Sequence, residues 1–203
     1  MNVYCEQYGN IDVDPLACQI IQTPEFQRLH LIRQTGFAFL VFPSATHSRF
    51  AHSLGVYHLA RQCIENLHDL HGSEVVTATH RRLIPIAGLC HDLGHGPFSH
   101  VFETMVKQHQ ARWCHEDQST RLFRRLVGLS LSPEDVDFVS SCIHPSQDES
   151  RLWQYQIVTN LHSGIDVDKL DYLNRDARAF GLPQPICISQ ILRGMRIKDD
   201  EIQ

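Results

Sequence analysis

Apolar side chains recur along this 203-residue chain at helical spacing far more often than in strict alternation. Thr23-Pro24-Glu25 pairs an N-cap with proline at the first helical position, and Phe26, Leu29 and Ile32 then mark one face until Gly36. The spacing predicts a second helix over 48–70, with Phe50, Leu54, Tyr57 and Ile64 inward, broken by His71-Gly72-Ser73. A third over 79–93 carries the apolar run around Ile86 and Leu89 and is stopped by Gly94, Gly96 and Pro97. Pro97 is expected to start a fourth, with Phe98, Val101, Phe102 and Met105 on its apolar face. A fifth begins near Glu116, with Leu122, Phe123 and Leu126 inward, and Ser132-Pro133-Glu134 opens a sixth. Segments 153–161 and 167–180 read as a seventh and an eighth, the latter closed by Gly181. Strand-like text is confined to 37–41 and 195–197. The pattern predicts an all-α helical bundle with at most minor β-hairpin elements. Beyond Gly181 come Pro183, Pro185, a helix-like 188–192 and a stretch, 196–203, resembling the first arm of a hairpin without its partner. The expectation is a fold that continues past residue 203.

Charge and composition narrow the function classes. Lys and Arg number 18 against 23 Asp and Glu, a net charge of −5. That acidic balance gives no support to nucleic-acid binding, which relies on a broad basic face. The longest apolar runs, 37–42 and 84–90, fall far short of the roughly 20 residues a membrane helix needs. Residues 1–6 lack the basic and apolar sequence of a secretory leader. Seven cysteines, an odd number with no Cys-x-x-Cys pair, read as reduced thiols in a nuclear or cytoplasmic protein.

Histidine is the outlier, at 14 residues. Of the two His-Asp dipeptides, His68-Asp69 sits at a polar helix end and reads as a solvated cap. His91-Asp92 follows the apolar run 84–90, where two polar groups cost free energy unless partnered. The string continues as His91-Asp92-Leu93-Gly94-His95-Gly96-Pro97-Phe98-Ser99-His100, three histidines around two glycines that allow close backbone approach. Upstream, Arg49 and His52 share a helix face; downstream, Asp166, Asp168 and Lys169 open another helix. A cation site built from His52, His91, Asp92 and Asp168 would mix imidazole and carboxylate ligands without a thiolate. One divalent ion, Mn, Fe, Zn or Mg, suits such a set.

The order His, His-Asp, Asp, with the strings VFPSATHSRFAHSLGV, IAGLCHDLGHGPFSH and GIDVDKLDY, resembles the HD-domain metal phosphohydrolases, in their deoxynucleoside triphosphate triphosphohydrolase branch. It is most similar to the animal type that joins a sterile-alpha-motif domain to an HD domain, here without the first. The likeness runs from about residue 9 to about residue 181. It implies a single HD domain over 1–203, incomplete at its C-terminal end, with His52, His91, Asp92 and Asp168 as metal ligands. It also implies hydrolysis of a dNTP to deoxynucleoside and inorganic triphosphate, with dGTPase-like activity, lowering of dNTP pools, a place in antiviral defence, and a homo-oligomer of the tetrameric kind. Arg49 and Lys169 would hold phosphates, and His95 and His115 would donate to them. His100 would protonate the leaving oxygen, with Glu103, where the family has aspartate, orienting it and raising its pKa. Gln34, Tyr172 and Asp176 would meet the sugar 3′-hydroxyl. Thr35 stands where the family carries a leucine that crowds a ribose 2′-hydroxyl.

Two other readings stay open: an HD phosphohydrolase acting on a nucleoside monophosphate, and an inactive metal- and nucleotide-binding regulator. The vertebrate type is switched on by guanine nucleotides bound to an aspartate supported by an arginine. Here those positions carry Gln22 and His30, and only Gln27 fits. A neutral amide offers the guanine edge one acceptor and one unwanted donor. Added GTP is therefore expected to leave turnover and oligomeric state unchanged. A many-fold rise in turnover with tetramer formation on size-exclusion chromatography would overturn this.

Overall fold

The computed structural model describes residues 1–126 and 131–203. Helix starts follow the polar caps. Asp14 accepts from the Ala17 N–H ahead of α1 (Pro15–Ile21), and Thr23 accepts from Phe26 ahead of α2 (Pro24–Gln27). Ser48 caps α3 (Arg49–His71), and Thr77 with His80 forms a reciprocal box at the head of α4 (Ala78–Cys90). After α5 (His100–Lys107) and α6 (His115–Leu126), Ser132 caps α7 (Pro133–Ile143) and Asp166 caps α8 (Val167–Ala179). A short α9 (Ile188–Gly194) follows. The all-α expectation is met, and among the described residues the sheets are two small hairpins.

Helix α3 organises the core. It is buried on nearly every side, through Leu54, Val56, Tyr57, Leu59, Ala60, Cys63, Ile64 and Leu67, as befits a helix wrapped by others. Helix α4 lies along it, and Gly88 permits the close approach: a Cβ there would stand 3.2 Å from the Ala60 methyl and the Val56 carbonyl. Helix α7 packs on the far side of α4, and α8 packs on α3.

Several expected elements differ. The run after Thr23 is not one helix to Gly36. It is α2 followed by a tighter 3-10 turn, Arg28–Leu31; Phe26, Leu29 and Ile32 are buried as expected, while Leu31 is 87% exposed. The fourth helix starts at His100 rather than Pro97, because Phe98 and Ser99 hold positive φ values of 65° and 55°. Its apolar face points outward, with Val101 and Met105 exposed. Segment 153–161 forms only a 3-10 turn, Trp153–Tyr155, and segment 37–41 holds another, Ala38–Leu40. The C-terminal stretch closes on itself: β3 (Ile197–Lys198) pairs with β4 (Glu201–Ile202), because Asp199 and Asp200 adopt the left-handed φ values that a two-residue turn needs. The first two elements were not legible in the periodicity. They are β1 (Asn2–Cys5) and β2 (Gly9–Asp12), an antiparallel hairpin of four-residue strands with Val3 opposite Ile11, too short to show alternation. Among the described residues no helix is long and apolar enough to cross a membrane.

The burial pattern predicts sharply unequal side-chain truncations. Ile64→Ala and Leu67→Ala, both fully buried, should each cost about 2–5 kcal/mol. Exposed Leu31→Ala should stay within about 0.5 kcal/mol of wild type, with urea unfolding as the measurement.

Candidate metal and phosphate site

Three helices deliver four side chains to one point. His52 comes from the first turn of α3, His91 and Asp92 from the end of α4, and Asp168 from the first turn of α8. His52 Nε2 lies 2.9 Å from Asp168 Oδ1 and 3.5 Å from Asp92 Oδ2. His91 Nε2 lies 3.4 Å from both Asp92 Oδ1 and Asp168 Oδ1. The outer ring nitrogens are committed elsewhere: His52 Nδ1 pairs with Asp171 Oδ2 at 2.7 Å and His91 Nδ1 with the Gly88 carbonyl at 2.8 Å. Each imidazole is thereby oriented with Nε2 facing the two carboxylates, and both Nε2 atoms are buried without a hydrogen-bond partner. Oriented imidazoles with a free inward lone pair are what a metal ion requires.

The electrostatics agree. Burial opposes charge on His52, but Asp168 and Asp171 outweigh it and push its pKa up to about 10; the same contest raises His91. Burial would also neutralise Asp92 and Asp168, yet Arg49 with the imidazoles holds Asp92, and His91 with His52 holds Asp168, well below the usual carboxylate range. A set this anionic draws positive charge, as protons or as a cation.

Asp171 was given no role in the sequence reading, although it lies inside the GIDVDKLDY string. Its buried carboxylate also accepts from Arg175 Nε and Nη2, both at 2.8 Å, and from the Tyr8 hydroxyl at 2.8 Å. Gly55 makes room for it, since a Cβ there would fall 2.0 Å from Asp171 Oδ1. The glycines of the His91 string act similarly. A Cβ on Gly94 would meet the His115 carbonyl at 2.1 Å, and one on Gly96 the Phe102 ring at 2.2 Å. Arg28 completes the support, donating to the Leu93 carbonyl and, at 2.7 Å, to the His95 carbonyl.

The cluster opens into a cavity of about 590 Å³. Gln34, Thr35, Tyr172 and Asp176 line it, as do Arg49, His95, His100 and His115. Buried Arg49 donates to Asp92 and, through Nε, to the Ser99 hydroxyl at 3.0 Å. His95 stacks on His115 with ring centroids 3.9 Å apart; burial pushes its pKa down to about 3, and neither ring nitrogen has a hydrogen-bond partner. Gln34 Oε1 is likewise buried and unpartnered. Asp176 is engaged by His47 Nε2 at 2.7 Å, a contact the sequence reading missed.

One expectation is corrected. Glu103 does not orient His100. Its nearest oxygen stands 3.9 Å from His100 Nδ1 but 2.8 Å from His115 Nδ1, and Lys107 Nζ approaches the other oxygen at 2.6 Å. The positive φ of Ser99 turns the start of α5 so that the His100 side chain is 72% exposed. Partial desolvation by the cavity rim and the nearby Arg49 lower its pKa rather than raise it. Lys169 Nζ lies beside Gly164, 3.2 Å from where a Cβ would sit. At the expected regulatory positions, Gln22 caps the C-terminus of α1, His30 stacks on Phe50 with centroids 3.6 Å apart, and Gln27 donates to the Ile21 carbonyl at 2.8 Å.

Comparison with known proteins places this geometry. The HD-domain family model matches residues 49–176, which span the whole cluster. The chain belongs to the HD-domain family. The chain is 38% identical over 202 residues to the deoxynucleoside triphosphate triphosphohydrolase SAMHD1 homolog of Dictyostelium discoideum, covering 96% of the chain and 39% of that protein. It is 37% identical over 220 residues to SAMHD1 of Danio rerio, and 34% identical over 218 residues to that of Homo sapiens, in each case covering 94% of the chain and 35% of the relative. The chain thus spans somewhat over a third of the length of these curated relatives.

Because Asp171 fixes the His52 tautomer, Asp171→Asn is expected to weaken Mn binding by about 10–100-fold, measured by metal titration of the purified protein. Unchanged affinity would show that Asp171 does not orient this ligand.

Proposed function

We propose that this HD domain binds one divalent cation through His52, His91, Asp92 and Asp168 and hydrolyses deoxynucleoside triphosphates to deoxynucleoside and inorganic triphosphate. The observation that carries the reading is the pair of buried, unpartnered imidazole nitrogens facing two ionised carboxylates at the floor of a nucleotide-sized cavity. The mixed nitrogen and oxygen donor set suits Mn, Fe, Mg or Zn. When bound, such an ion supplies Lewis-acid polarisation of a phosphate oxygen and acidifies water. The names of the relatives support the substrate class.

The chain's own residues do the rest. Arg49 brings a fixed, desolvated positive charge to the phosphate end, where little water competes with it. His95 is neutral at physiological pH, so one of its unpartnered nitrogens donates and the other accepts. Proton delivery to the leaving 5′-oxygen falls to the His100 and His115 pair, whose rings are 5.6 Å apart. Of these, His115 has the carboxylate that steadies an imidazolium, Glu103. Gln34 offers its unpartnered amide oxygen to a sugar hydroxyl, beside Tyr172 and Asp176. Thr35, shorter than leucine, leaves more room beside the sugar and so weakens exclusion of ribonucleotides.

Incubation with each dNTP and Mn or Mg should release inorganic triphosphate, detected by ion chromatography, and His91→Ala combined with Asp92→Ala should abolish it. Monophosphate or pyrophosphate would replace the reading with another HD phosphohydrolase activity. Tight metal binding without any product would make the domain a binding module.

A further inference from the structure

A second, chemically different donor set lies where α6 meets α7. The two helices run antiparallel, with Arg124 Nη1 on Asp137 Oδ1 at 2.7 Å near one end and Asp117 Oδ1 on His144 Nδ1 at 3.1 Å near the other. At that second end Cys114, just ahead of α6, joins the pair. One ligand atom each from Cys114, Asp117 and His144 lies within 4.8 Å of the others. A thiol, a carboxylate and an imidazole from two elements do not form a packing cluster, and Asp117 and His144 remain 49% and 43% exposed.

We propose that Cys114, Asp117 and His144 form a zinc-class metal site that clasps the open end of the α6–α7 pair, separate from the His52 and His91 centre. Tetrahedral bonds of about 2.0–2.3 Å put ligand atoms roughly 3.5 Å apart. With the ligand atoms already within 4.8 Å of one another, closing asks for at most about 1 Å of adjustment, within reach of the exposed Asp117 and His144 side chains. Three protein donors leave a fourth position for water. A nucleophilic thiol is the competing use of the same three residues. It fits poorly, because burial and the Asp117 and Glu116 carboxylates push the Cys114 thiol up to about 11, leaving little thiolate. A bound cation reverses that balance by displacing the thiol proton to solvent, one per ion bound. Thiolate also separates the two sites: zinc and cobalt suit the clasp, whereas Mn and Mg favour the thiolate-free set. Cys114 immediately precedes His115, so an ion here would fix the start of α6 and the imidazole on the cavity wall.

The test is cobalt titration of the intact chain and of the His91→Ala, Asp92→Ala double variant, which disables the other centre. The double variant is expected to bind about one cobalt with a thiolate-to-cobalt charge-transfer band, and wild type about two. Cys114→Ser, whose hydroxyl can still cap α6, should lose the band, and Cys187→Ser should keep it. In a melting experiment, zinc should raise the Tm of the double variant and of Cys187→Ser, but not that of a chain carrying all three of His91→Ala, Asp92→Ala and Cys114→Ser. No charge-transfer band in the double variant, or a band that survives Cys114→Ser, overturns the site. Either result leaves the dNTP reading untouched, since that rests on triphosphate release by wild type.

Discussion

The buried carboxylate of Asp171 is the interaction on which the site depends. It accepts from His52 on α3, from Arg175 one turn along α8, and from Tyr8 beside the first hairpin. A lone carboxylate at this depth would cost several kcal/mol. The requirement for partners therefore locks α3, α8 and the N-terminal segment into one register. Gly55 is the steric counterpart, because no other residue leaves space for the carboxylate against α3. With that register set, His52 Nε2 has one direction left to face, toward Asp92 and Asp168.

Charge is graded from this point outward. The deepest layer pairs imidazoles with ionised carboxylates, and the next brings Arg49 and His95, both buried, to the cavity wall. The layer after that holds His115 with Glu103 and Lys107, nearer solvent. Phe37 and Phe98, stacked with centroids 4.3 Å apart and each 46% exposed, mark the apolar side of the mouth. Anionic phosphate toward the buried end and a nucleoside toward the mouth is the orientation this gradient favours. The strained Phe98–Ser99 backbone lies where the two regions join, and Ser99 ties that bend down, donating to the Arg33 carbonyl and accepting from Arg49.

The side chain at position 103 shows how one carboxylate chooses between two neighbouring imidazoles. The carboxylate reaches past His100 to His115 and Lys107 instead. His100 stands largely in solvent. The carboxylate-backed imidazole is the one on α6, not the one on α5.

Local signals in the sequence determined the helical class, the capped starts of α2, α3, α7 and α8, and the four side chains that meet at the cluster. Caps and prolines act within a few residues, and the string from His91 to His100 is contiguous, so both are readable without a fold. Short strands and 3-10 turns escaped because four residues carry too little periodicity to distinguish them. The pairing of Asp171 with Tyr8 and His52, that of His47 with Asp176, and the turning of Glu103 to His115 lie 12 to 163 residues apart in the chain. No spacing rule spans such distances. Only the packing of α8 on α3, and of α6 across the glycines of the His91 string, decided which of the polar residues would touch.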